Sequence, residues 1–408
     1  MRVPLSVPDI GELEISNVLE VLRSQRLSLG PKVLEFEEKF AEYVGLRHAI
    51  AVNSGTSALH LAIRALGIGP DDEVITTPFS FVASTNCILF EGAHPVFVDI
   101  DPATMNLDTQ QLERFLEDRC EFDARVGALF NKKTGRTVKA ILPVHVFGLP
   151  CKMDAILDLA NKYRLRVIED ACEGLGAEYH GRRAGTFGDT AIFGFYPNKQ
   201  MTTGEGGMLV TNNQEIALLC RSMRNQGRDE SSAWLNHIRL GYNYRLSELH
   251  SALGLAQLQR VPELLEKRQR VAETYTNALS SVPHLILPAE FDGFKRSWFV
   301  YVVQLDLPNP KAVRDRVIRK LRTNGIECQA YFPSIHKQPH IATVATMPPG
   351  GLRNAEIASD RSLAIPFFPS ATLEQIEYVS VGLRRVVDEE VTMSVPSKSK
   401  SAVAARTT

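Results

Sequence analysis

The chain lacks the features that mark a membrane protein, a disulfide scaffold or a nucleic-acid binder. Its six cysteines (Cys87, Cys120, Cys151, Cys172, Cys220 and Cys328) are scattered along 408 residues with no CxxC pair. That usage predicts reduced thiols, offers no thiolate metal framework and fits a cytoplasmic protein. The ten histidines are spread along the chain, and no metal site is expected. No apolar run approaches the ~18–20 residues of a membrane-spanning helix, so no membrane partner is expected. The opening stretch "MRVPLSVPDIGELEI" has early acids and no apolar core, unlike a secretory signal. Net charge is only -1, so no broad basic field exists to hold nucleic acid. No internal repeat is visible.

What the chain has is ordinary globular composition, 44% hydrophobic and 23% charged, at a length that calls for more than one lobe. From residue 48, short β-branched runs alternate with helical patterns. "HAIAVN", "DEVITTPF", "HPVFVDI", "VKAILPVHVFG" and "RVIEDAC" read as strands, and "TSALHLAIRALG" and "MDAILDLANKYRL" as helices between them. Such alternation predicts an α/β fold with a mostly parallel sheet covered on both faces. "DTAIFGFY" and "GGMLVTN" add two strands, close enough in sequence to pair antiparallel. A long helical stretch spans 245–282, with a kink expected at Pro262. After it, "SWFVYVVQL" and "IECQAYF" read as strands around the helix "KAVRDRVIRKLRTNG", with a last helix at about 372–388. The expected division is a large domain over 1–250, a smaller α+β domain over 251–390, and a disordered tail over 391–408.

Ligands of open α/β sheets bind at the carboxyl ends of strands, so the residues that follow each strand are the candidates. "SGTSAL", after the first strand, opens a helix with small residues. It suits a phosphate at a positive helix end and reads equally as an ordinary N-cap by Ser54 or Thr56. Asp170 closes "RVIED", where a near-buried carboxylate needs a partner: a protonated pyridine ring, or a helix cap or salt bridge. Glu173 faces the same region or is a solvated loop acid. Phe81 either stacks on a flat ring or belongs to the core. Lys199, between "AIFGFYPN" and "TTGEGG", is either a phosphate-binding lysine or an amine poised for a Schiff base. The glycines follow the lysine and residue 200 is Gln, the reverse of the Walker order. A phosphate cradle, a stacking ring, an acid and a lysine are together the needs of pyridoxal phosphate.

The sequence resembles the DegT/StrS-type aminotransferases of nucleotide-linked keto sugars, fold type I (aspartate-aminotransferase-like) pyridoxal-phosphate enzymes. The likeness covers about residues 5–388 and rests on "RSQRLSLGPKVLEFEEKFAEYVG", "NSGTSALHLAI", "GAHPVFVDID", "IEDACEGLGA", "FGDTAIFGFYPNKQMTTGEGGML" and "GYNYRLSELHSALGLAQL". The resemblance implies that Lys199 carries the cofactor, Asp170 pairs with its ring nitrogen, Phe81 stacks on the ring, and Gly55, Thr56 and Ser57 hold the phosphate. It implies a homodimer with shared sites, in which Asn243 of "GYNYR" reaches the other subunit's phosphate. It places His336, in "AYFPSIH", where a substrate contact is frequent; a surface-loop histidine is the other reading. Two departures stand out. Gly194 occupies the place of a phosphate-binding serine, and Glu173 that of a common glutamine against the ring's phenolic oxygen. Glu is also found there in perosamine synthase-like members that aminate a GDP-linked 4-keto sugar. The implied activity is amino transfer from L-glutamate to a nucleotide-linked keto sugar, a 4-keto-6-deoxy sugar before a 3-keto one. A sugar dehydratase on this fold would have histidine in place of Lys199. A non-catalytic regulatory protein on this scaffold would have no use for an intact Lys199 and Asp170.

Overall fold

The computed structural model describes residues 1–228, 235–348 and 350–394. Two helices, α1 (Glu12–Ser24) and α2 (Pro31–Val44), precede the sheet. Pro31 opens α2 at its first turn, and Gly45 ends it in the left-handed conformation, as helix termini favour. The chain then alternates through β1 (His48–Val52), α3 (Gly55–Ala65), β2 (Asp72–Thr76), α4 (Ala83–Phe90), β3 (His94–Phe97) and α5 (Thr109–Arg119). A hairpin of β4 (Cys120–Asp123) and β5 (Ala128–Asn131) leads to β6 (Thr137–Leu142), α6 (Met153–Tyr163) and β7 (Arg166–Asp170). The short β8 (Glu178–Tyr179) and β9 (Arg182–Arg183) come before β10 (Thr190–Gly194), β11 (Gly207–Thr211) and α7 (Gln214–Arg224). α8 (Glu248–Leu279) then crosses to a smaller lobe of β12 (Leu285–Ile286), β14 (Tyr301–Leu305), α9 (Pro310–Thr323), β15 (Gln329–Ala330), α10 (Arg353–Arg361), β16 (Ser362–Ile365) and α11 (Leu373–Ser394), while β13 (Phe294–Lys295), between β12 and β14, returns to pair with β8.

The large sheet runs β1-β11-β10-β7-β6-β2-β3, with the β4–β5 hairpin added beside β6. Neighbours from β10 to β3 are parallel, and β11 is antiparallel to both β1 and β10. The fold is therefore α/β, and the expected antiparallel pair is β10 with β11. Side-chain alternation explains why these strands are almost continuously apolar. Ile50, Ile192 and Leu209 enter a core under α3, while Ala51, Phe193 and Met208 enter a second core against α2 and α8. Both faces are buried, so both sets are hydrophobic.

The chain changes lobes within α8, which continues through Pro262 as one helix. Leu258 and Val261 pack in the core of the large lobe, and Val271, Tyr275 and Leu279 in that of the small lobe. The expected boundary at 250/251 thus falls in the first turn of a helix that both lobes use. Two further expectations differ in extent. "IECQAYF" pairs as a strand only at Gln329–Ala330, because Ile326 bridges Val3 instead and Tyr331 and Phe332 turn into a cavity. The last helix passes residue 388 to Ser394, held there by buried Glu390 against Arg316 and Lys320 of α9. The start of the expected tail is therefore helical, and 395–408 lie outside the described residues.

Gly148 joins the lobes. Its φ is +76°, and a Cβ there would lie 1.7 Å from the Ser297 carbonyl oxygen, while its own carbonyl accepts the Ser297 N–H at 2.9 Å. Gly67, just past α3, has φ +66° but open space around it. Gly67→Ala is expected to cost about 1 kcal/mol of backbone strain. Gly148→Ala adds a backbone clash worth a further ~1–3 kcal/mol. Denaturant midpoints of the two variants check this difference; equal midpoints would contradict the tight contact.

Candidate active site

One cavity of about 470 Å³ lies at the carboxyl edge of the sheet and collects residues from several strand ends. Asp170 ends β7, Gly194 ends β10, Gly55 and Thr56 follow β1, and Phe81 and Lys199 come from the loops after β2 and β10; all six line it.

The floor is the first turn of α3. Ser54 caps it, its Oγ accepting the Ser57 N–H at 3.0 Å. The N–H groups of Gly55 and Thr56 have no acceptor among the described residues, as the start of a helix requires. Gly55 is needed for close approach: a Cβ would stand 3.0 Å from Cys172 Sγ and 3.4 Å from Gly194 Cα. Ser57 differs from the expectation. Its hydroxyl donates to Asn53 Oδ1 at 2.7 Å, and it is absent from the cavity wall.

Asp170 is buried, yet both of its oxygens have donors. Ser84 Oγ donates to Oδ2 at 2.7 Å and the Cys172 N–H to Oδ1 at 3.1 Å. Glu173 is buried beside it. The Phe147 N–H donates to its Oε2 at 2.8 Å, and Lys199 Nζ lies 3.6 Å from Oε1. Burial pushes the Glu173 carboxyl above its ordinary range, and nearby Asp170 adds to the effect, while Lys199 and the Phe147 N–H counter it. Phe147 sits at φ 53°, ψ 29°, a left-handed conformation that a bulky residue adopts only under constraint. Lys199 Nζ is also 4.1 Å from the centre of the Phe299 ring, so a charged amine gains a cation–π contact.

Phe81 is 60% exposed at the cavity mouth, with Tyr331 and Phe332 of the small lobe on the wall. Asn243 is exposed and lies outside this cavity. It is presented by its neighbours: Tyr242 and Tyr244 stack at 4.8 Å. Tyr242 Oη donates to Glu91 at 3.1 Å, and Tyr244 Oη bonds His60 Nδ1 at 3.0 Å. His336 also lies outside the lining. Its Nε2 is 3.0 Å from Glu356 Oε1, and its ring packs edge-on to Phe97. His340, four residues on, bonds Asn86. Sequence reasoning missed Ser84, Cys172, Phe147, Phe299, Tyr331 and Phe332. Of these, Cys172, inside "EDACEG", and Tyr331 and Phe332, inside "AYFPSIH", lay within recognised signals, and Ser84 lay three residues from Phe81.

The donor set fits pyridoxal phosphate. An amine is present for the aldehyde, a doubly supported carboxylate for the ring nitrogen, an exposed aromatic face for the ring, and helix-start N–H groups for the phosphate. A Cβ at Gly194 would stand 3.4 Å from Cys172, an ordinary contact, so packing alone does not explain the missing serine.

The sequence model of the DegT/DnrJ/EryC1/StrS aminotransferase family matches residues 8–384. The GDP-perosamine synthase of Caulobacter vibrioides is 38% identical over 393 residues, 95% of this chain and 98% of that protein. Helicobacter pylori PseC, an aminotransferase of pseudoaminic acid biosynthesis, is similar in structure with TM-score 0.85 and 28% identity, covering 95% of this chain and 100% of that one. DesV of S. venezuelae, solved with a ketimine intermediate, gives TM-score 0.82 and 32% identity, covering 95% and 99%. Among the described residues no helix is long and apolar enough to cross a membrane.

Glu173 offers a test that needs no cofactor. A carboxyl whose folded pKa is raised stabilises the fold most below its ordinary value of 4.5, and that contribution is lost as pH rises through the folded value. Glu173→Gln lacks this loss. The thermal midpoint of the variant apoprotein, relative to wild type, should therefore increase as pH rises from 4 to 7. A constant difference across that range would contradict the raised pKa.

Proposed function

The chain belongs to the DegT/DnrJ/EryC1/StrS aminotransferase family, and from that premise we propose that it transfers an amino group from L-glutamate to a keto sugar carried on a nucleotide diphosphate, with pyridoxal phosphate as cofactor. The observation that carries this reading is the meeting of Lys199, Asp170, Glu173, Phe81 and the start of α3 in one cavity.

Bound pyridoxal phosphate supplies an electrophilic carbon and a ring that draws electrons from the donor's α-carbon. Lys199 Nζ would hold the cofactor and, once displaced by the donor's amine, would take the proton from the donor's α-carbon and deliver it to the carbon that bore the aldehyde, the donor leaving as its keto acid. Asp170, braced by Ser84 and the Cys172 N–H, keeps the ring nitrogen protonated. Glu173 holds a proton toward the phenolic oxygen, since two negative oxygens in a poorly solvated site repel by several kcal/mol at an effective dielectric of ~20. Phe81 covers the ring. Thr56, with the Gly55 and Thr56 N–H groups, binds the phosphate. In this reading the active unit is a homodimer, and Asn243 completes the phosphate site of the partner. Amination at C4 is favoured by Glu173 together with the likeness to the GDP-perosamine synthase. A cytoplasmic location belongs to the same reading.

Three outcomes test the proposal. Purified protein with L-glutamate and a panel of nucleotide-linked 3-keto and 4-keto sugars should give an amino sugar from a 4-keto member, by mass spectrometry. Lys199→Ala should give none and leave no borohydride-reducible cofactor on the chain; turnover by that variant would remove the mechanism. Hybrid dimers of Lys199→Ala with Asn243→Ala subunits should regain activity at the one site free of both lesions. Inactive hybrids of verified composition would mean that each site is built from a single chain.

A further inference from the structure

Arg268 belongs to the part of α8 that enters the small lobe, and at 1% exposure its side chain is among the largest fully buried in the protein. Among the described residues its guanidinium has no carboxylate within ion-pair distance. It serves backbone carbonyls instead: Nη2 donates to Lys199 O at 2.6 Å and to Asn198 O at 3.4 Å, and Nη1 donates to Phe299 O at 3.2 Å. Burial pushes its pKa down to about 9, which still leaves it charged at neutral pH. The guanidinium also lies 5.8 Å from the centre of the Phe367 ring, and its Nε has no hydrogen-bond partner among the described residues, so this buried charge is costly to keep. Filling the space with a hydrophobe would avoid that cost but leave three carbonyls without this donor.

The three carbonyls are not an arbitrary set. Two belong to the loop that carries Lys199. The third belongs to Phe299, whose ring lies 4.1 Å from Lys199 Nζ. One planar fork therefore fixes both the root of the lysine and the surface against which its amine rests. A fork can do this because its N–H groups diverge at fixed angles, whereas an ammonium presents a single point of charge.

We infer that Arg268 is a positioning residue for Lys199, setting the place of its amine by tying the Lys199 peptide to the Phe299 peptide across the two lobes. The inference rests on the proposed role of Lys199 as the cofactor-holding amine.

The test uses the full chain stripped of cofactor, as wild type, Arg268→Lys, Arg268→Gln, and Leu305→Ala as a small-lobe core control buried away from the cavity. Three quantities are read: the apoprotein's thermal midpoint, the rate of borohydride-trappable attachment of pyridoxal phosphate by mass, and the pH titration of the bound cofactor's absorbance. Arg268→Lys and Arg268→Gln should attach the cofactor about tenfold more slowly and move the titration midpoint by about half a unit. Leu305→Ala should lose stability yet keep the wild-type rate and titration. The inference is overturned if folded Arg268 variants match wild type in both readouts, or if Leu305→Ala slows attachment as much as they do. It is also overturned if neither Arg268 variant folds, because the residue would then be a structural one. A wild type that forms no adduct would instead remove the proposed function beneath it.

Discussion

Two carboxylates three residues apart, Asp170 and Glu173, are buried beside a single amine, and the surrounding structure is arranged to make that tolerable. A carboxylate removed from water must find donors or lose its charge. Asp170 finds two. α4 is placed so that Ser84 reaches one oxygen, and the chain turns after β7 so that the Cys172 N–H reaches the other. Glu173 finds one firm donor, the N–H of Phe147, a residue that itself holds a left-handed conformation. The difference in support is geometric: Asp170 accepts at both oxygens, whereas Glu173 accepts one backbone N–H and has its carboxyl pushed up by burial. Two acids of the same strand end thereby acquire different chemistry from their neighbours alone.

Burial on both sheet faces explains much of what the sequence discloses. Strands apolar on both sides stand out, and the residue that ends each one marks a site candidate, which is how Asp170 and Lys199 are found. The helix start at Ser54–Thr56 is readable for the same local reason. What is not readable is any contact closed by the third dimension. Ser84 reaches Asp170 across 86 positions, and Arg268 reaches Lys199 across 69. No local pattern in either segment points to the other.

Ser57 and His336 are only partly committed. Ser57 Oγ donates to Asn53, and His336 Nε2 meets Glu356 while its Nδ1 is buried with no hydrogen-bond partner among the described residues. Sequence position says which residues are available; only packing says which remain uncommitted. α8 illustrates the same limit for domains. Its amphipathic pattern is plain, but a helix that serves two cores has no internal mark where one core ends.

The stacked pair Tyr242 and Tyr244 carries a consequence for how this segment can vary among descendants of the gene. The backbone here is extended, bridging Asn225 at residue 243 and Val52 at residue 245, so inward and outward positions alternate strictly. Either tyrosine can be exchanged for another ring while Asn243 keeps facing out. Losing or gaining one residue just before Tyr242 would invert the alternation, burying an amide against His60 and turning a phenol outward. The segment is thus permissive to substitution and intolerant of length change, and insertions that diversify sugar recognition must arise elsewhere.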